Sequence, residues 1–183
     1  RSIPLTREIY IEEDDFLEDP PRKFFRLAPG KEVRLRYGYV IRCDEVVRDA
    51  SGKISELRCS YDPQTAKGVQ PEGRKVKGII HWVSASQSIP AEVRLYDRLF
   101  REASPGSNHE DGDFLKDLNP DSVEILKNCR LESGLKNVIP GSRFQFERLG
   151  YFCSDEKASS AEPPVFNRIV TLRDTWAKLK QNS

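Results

Sequence analysis

The sequence predicts an all-β fold, and three observations carry that prediction. Apolar and polar residues alternate at period 2 in short runs, as in Val33-Arg34-Leu35-Arg36-Tyr37. Turn chemistry rich in Pro, Gly, Asp and Asn breaks these runs throughout. Helical periodicity is confined to two brief segments, residues 14–17 and Asp113-Phe114-Leu115-Lys116-Asp117-Leu118 before Asn119-Pro120. Short strands at this spacing favour closed barrels, which leave no open edge to aggregate.

In chain order, the predicted strand runs cover residues 8–11, 33–41, 54–61, 78–83, 93–100, 122–126, 143–152 and 167–172. Asp49-Ala50-Ser51-Gly52 lies between two of them and reads as a hairpin turn. Residues 63–73 and 104–112 read as polar loops. No internal repeat is visible.

With 183 residues the chain is long enough for one large or two small domains with a genuine core. No apolar run approaches the roughly 20 residues of a bilayer span, and no secretory pattern opens the chain. It begins with Arg1 rather than Met and reads as an excised piece of something longer. A net charge of +1 argues against a blanket nucleic-acid binder. Charge is segregated, however. Residues 1–19 carry two basic residues against seven acidic ones, and residues 22–42 carry seven basic residues against Glu32 alone.

The basic segment is the main candidate site. In RKFFRLAPGKEVRLRYGYV, residues 22–40, Arg22, Lys23, Arg26, Lys31, Arg34 and Arg36 are interleaved with Phe24, Phe25, Tyr37 and Tyr39. Guanidinium forks satisfy phosphate and base-edge acceptors, and aromatic faces hold unstacked bases. The combination points to single-stranded RNA. The competing reading puts Arg34 and Arg36 on the solvated face of an amphipathic strand. Gly38, continuing that face, would let a backbone or a base come close.

A second candidate is Phe144-Gln145-Phe146-Glu147-Arg148. Alternation sends both phenylalanines to the core and Gln145 away from them. Arg148 would share the core face unless an irregularity near Leu149-Gly150 frees it, and a bulge there would bring Gln145 and Arg148 together. The Gln145 amide suits the mixed donor and acceptor edge of uracil.

Other groups read as structural. Cys43, Cys59, Cys129 and Cys153 have no CxxC spacing and read as free thiols of a reducing cytosol, with no metal site. His81 alternates with Ile79 and Val83 and reads as a satisfied, partly buried strand residue. Glu12-Glu13-Asp14-Asp15 lacks calcium-loop spacing and reads as a solvated turn. No phosphate-cradling Gly-rich loop, nucleophile elbow or HExxH is present, so catalysis by this chain alone is not expected.

These residues resemble the C-terminal anticodon-binding region of glutaminyl-tRNA synthetases, class I aminoacyl-tRNA synthetases. The resemblance spans nearly the whole chain through GKEVRLR (residues 30–36), GRKVKGIIHWVSA (73–85), EVRLYDRLF (92–100), the pair FQFER and GYFC (144–153) and the pair VFNR and LRDTWAK (165–178). It implies two β-barrels, a distal one over residues 23–92 inserted into a proximal one formed by 1–22 and 93–183, with the anticodon loop opened between them. It implies Arg26 at the third anticodon base, Arg34 and Arg36 at the first base and its phosphate, Gln145 and Arg148 around the central uracil, and Thr175 near the pocket. Lys23, Phe24 and Tyr37 complete the implied surface. The aromatic expected two residues before the reading arginine is kept at Phe24. A lysine expected next to that arginine is replaced by Phe25, with Lys23 offering charge from another angle. Tyr37 replaces a polar residue and adds a stacking face.

The resemblance further implies that catalysis, with ATP and magnesium, belongs to a domain of the parent enzyme outside this chain. The parent would be a cytoplasmic monomer whose partner is the glutamine tRNA rather than DNA or a membrane. Two other readings remain: an archaeal or eukaryotic type glutamyl-tRNA synthetase barrel or a related rRNA-binding barrel, and a protein-interaction barrel with no RNA role.

Overall fold

Eleven strands account for the regular structure of the described residues, 2–160 and 163–172 of the computed structural model, with only short 3-10 turns beside them. The all-β expectation holds. The chain divides into two units between Gln87 and Ser88.

The first unit holds β1 (Ile9–Tyr10), β2 (Glu32–Leu35), β3 (Val40–Arg48), β4 (Ile54–Asp62), β5 (Ile79–Ile80) and β6 (Val83–Ser84). Four strands form a sheet in the order β4-β3-β2-β5, parallel only at β2–β5, while β1 pairs with β6. Leu27, Val33, Leu35, Ile41, Cys43, Ile80 and Trp82 form its core, and Ile3, Ile9, Ile11 and Phe16 pack against it. Residues near the start of the chain thus pack against the core of the first unit. Each fully buried aliphatic side chain here contributes about 1.5–3 kcal/mol.

The second unit holds β7 (Ile89–Tyr96), β8 (Val123–Leu131), β9 (Arg143–Phe146), β10 (Gly150–Ser154) and β11 (Val165–Thr171), in the order β8-β7-β11-β10-β9. Ala91, Val93, Phe152 and Phe166 form its core. Phe146 stacks on Phe152 with centroids 4.5 Å apart, and Phe144 meets Phe166 edge-on at 5.9 Å.

The hairpin turn at Asp49-Ala50-Ser51-Gly52 forms as expected: Gly52 N–H donates to Asp49 O at 3.0 Å, and Gly52 takes φ 83°. Three predicted runs are each two strands. The 33–41 run breaks at a turn in which Gly38 N–H donates to Leu35 O at 2.8 Å and Tyr37 sits at φ 59°. The 78–83 run splits into β5 and β6, and the 143–152 run into the β9–β10 hairpin. Both short helices are 3-10 turns, Glu13–Asp15 and Phe114–Asp117.

The strongest expectation to fail is the half-buried character of β2. Val33, Arg34 and Leu35 are all buried. The cause lies about thirty residues downstream: the segment after β4 supplies the carbonyls of Thr65 and Val69 to the Arg34 guanidinium, at 2.9 and 2.6 Å. The face that alternation assigned to solvent is therefore covered.

In the second unit, Asp155 anchors the loop before β11. Its carboxylate accepts from the N–H groups of Ala158 at 2.7 Å and Lys157 at 2.9 Å, and from Asn167 Nδ2 at 2.8 Å. These donors, the Ala158 N–H foremost, pull its pKa down to about 2. Because the folded pKa lies below the unfolded one, the contribution is present above about pH 4 and is lost as pH falls toward 2. Denaturant midpoints of Asp155→Asn, followed against pH, should therefore fall less steeply across that window than those of wild type. Parallel profiles would exclude this role.

Candidate nucleic-acid interface

The basic-aromatic stretch surrounds a depression of about 420 Å³ within the first unit. Pro20 and Pro21 turn the chain into it, Phe24 and Phe25 supply aromatic surface, and Arg22, Arg26, Lys31, Lys75 and Lys77 supply positive charge. Glu32 is the one acidic residue of the lining, and Arg74 neutralises it. Arg74 Nε donates to both Glu32 oxygens, at 3.1 and 2.8 Å, while Nη2 donates to Asp62 at 2.8 Å. Those bonds, Glu32 first, raise the Arg74 pKa, and the Arg74 guanidinium is the main cause that lowers that of Asp62. The depression is thus electropositive with its acid already engaged.

Arg26 is held rather than loose. Its Nη1 lies 2.7 Å from Asp15 Oδ1 and donates to the Asp14 carbonyl at 3.0 Å. Asp15 is fully buried, and Leu27 N–H donates to its carbonyl at 3.0 Å. The acidic run that read as a solvated turn therefore contains the residue that orients Arg26. A buried carboxylate fixes the guanidinium plane, while the Arg26 side chain keeps 37% of its surface in solvent. Charge segregation along the chain was the visible sign of this, because the acidic segment folds onto the basic one; Arg48 likewise pairs with Glu18.

Phe25 is exposed, and Lys77 Nζ lies 5.3 Å from its ring centroid, in cation–π range. The expected lysine beside Arg26 is absent, yet a lysine from another part of the chain sits over the aromatic that replaces it. Lys75 and Lys77 were not among the sequence candidates. Their signal is the spacing in Arg74-Lys75-Val76-Lys77, which puts two cations two residues apart. Lys23 is exposed, and Phe24 is half-buried at the lining.

Arg34 and Arg36 do not share a surface. The Arg34 guanidinium donates to the carbonyls of Gly38, Thr65 and Val69 at 3.2, 2.9 and 2.6 Å, and the residue is only 6% exposed. Arg36 lies on the turn after β2. Its N–H donates to Ile80 O, its carbonyl accepts from Trp82 Nε1 at 2.9 Å, and its guanidinium carbon lies 5.0 Å from the Tyr37 ring centroid. Tyr37 is 67% exposed, an open aromatic face beside a cation. Gly38 is not open to a base: a Cβ there would lie 3.2 Å from Leu35 Cβ and 3.7 Å from the Trp82 ring.

In the second unit, Phe144 and Phe146 pack toward the core and Gln145 is exposed, as alternation requires. A hairpin loop rather than a strand bulge carries Arg148 off the core face. Leu149 N–H donates to Phe146 O at 3.0 Å, and Arg148 is exposed at φ 72°. The register shift of β10 falls further on, between Tyr151 and Phe152 on the β11 side. Thr175 lies outside the described residues.

His81 is half-buried between β5 and β6. Among the described residues no group of three or more His, Cys, Asp and Glu side chains could hold a metal, and no helix is long and apolar enough to cross a membrane.

Aromatics lie here among guanidinium and ammonium groups on a β scaffold, the side-chain chemistry that RNA-binding surfaces use. Residues 1–62 and 79–155 each match a family described as tRNA synthetases class I (E and Q), anti-codon binding domain. The chain belongs to the anticodon-binding domains of class I tRNA synthetases of the E and Q type. It is 60% identical over 178 residues to the glutamine–tRNA ligase of Stutzerimonas stutzeri, covering 97% of this chain and 32% of that protein. It is 57% identical over 176 residues to the ligase of the same name from Pseudomonas syringae pv. tomato, with 96% and 31% covered. For that of Pseudomonas putida the identity is 58% over 176 residues. The chain spans about a third of the length of these curated relatives.

Proposed function

We propose that this chain reads the anticodon loop of a glutamine tRNA for a glutamine–tRNA ligase. The observation that carries the reading is the electropositive, aromatic-lined depression around Arg26, on a chain whose relatives bear that name. Its size suits a single splayed nucleotide, whose base stacks on Phe24 or Phe25 while its phosphate meets the surrounding cations. Arg26, oriented by Asp15, supplies a fork for the third base. Arg36 with Tyr37 serves the first base and its phosphate. Gln145 and Arg148 serve the central uracil, and Thr175 is kept as a further contact. Lys23 adds charge beside Phe24. Arg34 acts differently from the resemblance: with three carbonyls on its guanidinium, it holds the Tyr37 turn and the 63–69 segment in place.

The whole protein would join glutamine to its tRNA in the cytoplasm, as a monomer, with ATP and magnesium serving a catalytic domain outside this chain. A glutamate-specific enzyme is not favoured, since the relatives reported above are glutamine–tRNA ligases.

Arg26→Ala should weaken binding of a glutamine anticodon stem-loop by about 1–3 kcal/mol, by analogy with bidentate base contacts on DNA. Titration of the intact protein with labelled stem-loop measures this, and an unchanged affinity would remove Arg26 from the reading.

A further inference from the structure

Two of the four cysteines face one another. Cys43 on β3 is the direct register partner of Cys59 on β4. The backbone groups of Cys43 are spoken for on its other edge: its N–H donates to Lys31 O at 3.3 Å, and its carbonyl accepts from Gly30 N–H at 2.8 Å. Both groups of a strand residue point to the same side, so Cys43 and Cys59 form a non-hydrogen-bonded pair. In such pairs the Cα atoms lie about 4.5 Å apart and the side chains approach most closely. That spacing falls within the roughly 4.4–6.8 Å that a disulfide spans. The two thiols are also within hydrogen-bond reach of each other. Cys129 and Cys153 have no such arrangement, lying opposite Ala91 and opposite Arg143 and Asn167 respectively.

We propose that Cys43 and Cys59 are a modification site at which a small disulfide such as oxidised glutathione closes a cross-strand bond between β3 and β4. Access is asymmetric: Cys43 is fully buried, while Cys59 is exposed. The order of events follows from this. The Cys59 thiolate attacks one sulfur of the small disulfide; that S–S bond breaks, and one glutathione leaves as its thiolate and takes up a proton. Cys43 then loses its proton and attacks the Cys59 sulfur, which forms the internal bond and expels the second glutathione. Two protein thiols are oxidised and one small disulfide is reduced to two thiols.

Cys59 keeps exposed surface while its sulfur is partly desolvated where it meets Cys43; burial is the first cause that raises both thiols, Cys59 to about 12, and the Asp44 charge adds to it. The thiolate is scarce at neutral pH, so closure is slow and speeds up as pH rises.

The test treats intact native protein with oxidised glutathione at pH 7 and at raised pH, alkylates remaining thiols in denaturant, and maps the digest by mass spectrometry. Wild type should yield the β3 and β4 peptides joined and lighter by about 2 Da than their sum, the two hydrogens lost on oxidation. Cys43→Ala should stop at a glutathione adduct on Cys59, and Cys59→Ser should leave Cys43 alkylatable. A wild-type adduct on Cys59 as abundant as that of Cys43→Ala, with no joined peptide, would overturn the proposal. So would two alkylatable thiols after prolonged exposure at raised pH.

Discussion

Arg34→Ala is expected to destabilise the first unit by about 3–5 kcal/mol, the largest single effect outside the hydrophobic core. Each hydrogen bond from a charged donor is worth about 1.5–3 kcal/mol, and the three summed are less than additive because water can enter the space vacated. The three acceptors come from two separate places, the Tyr37 turn and the 63–69 segment, so the guanidinium ties both to β2. Thr65 adds to the same joint: it is fully buried, its Oγ1 accepts from Val40 N–H at 2.8 Å and donates to Asp62 O at 2.6 Å. Arg34→Lys should recover little, since one ammonium cannot span carbonyls that a planar fork reaches together. Denaturant midpoints of the variants measure the cost. A loss under about 1 kcal/mol for Arg34→Ala, combined with a large drop in RNA affinity, would instead make Arg34 a direct reader.

Gly78→Ala is expected to cost about 3 kcal/mol and to weaken RNA binding with it, by the logic of overpacking against a rigid neighbour. A Cβ at this position would lie 2.2 Å from the Phe25 carbonyl oxygen and 2.9 Å from Val33 Cγ2. The neighbour is backbone, so a rotamer change cannot relieve the clash. Gly78 O also accepts from Arg34 N–H at 3.0 Å, which pins the glycine to β2. The Phe25–Arg26 segment must then move, and with it the ring under Lys77 and the guanidinium held by Asp15. Parallel measurements of unfolding and stem-loop affinity test this; wild-type values for both would show that the close approach is dispensable.

What the sequence made legible was local. Turn chemistry at Asp49–Gly52 and alternation in Phe144-Gln145-Phe146 depend on neighbouring residues alone, and both appear as read. The failures share a cause. Arg34 is buried because a segment about thirty residues away covers it, and Asp15 is buried because Arg26 and Leu27 close over it. Neither cover is encoded in the residues beside them. Within the candidate site, the cations and aromatics of residues 22–40 were visible as a class, but their roles were not. Arg26 keeps an oriented, part-exposed guanidinium, Arg36 lies beside the exposed Tyr37 ring, Arg34 turns inward, and Lys75 and Lys77 join from the far side of β4 in sequence. Composition found the cations; only the fold separates those left at the surface from the one that is buried.

The surface around Arg26 is expected to read a glutamine anticodon. The most direct test is the affinity of intact protein for anticodon stem-loops that differ at one base, each measured at about 50 and 200 mM salt. The glutamine anticodon should bind tightest, each single replacement should cost about 1–3 kcal/mol, and every affinity should fall as salt rises. Equal binding of all loops, or affinity indifferent to salt, would contradict it.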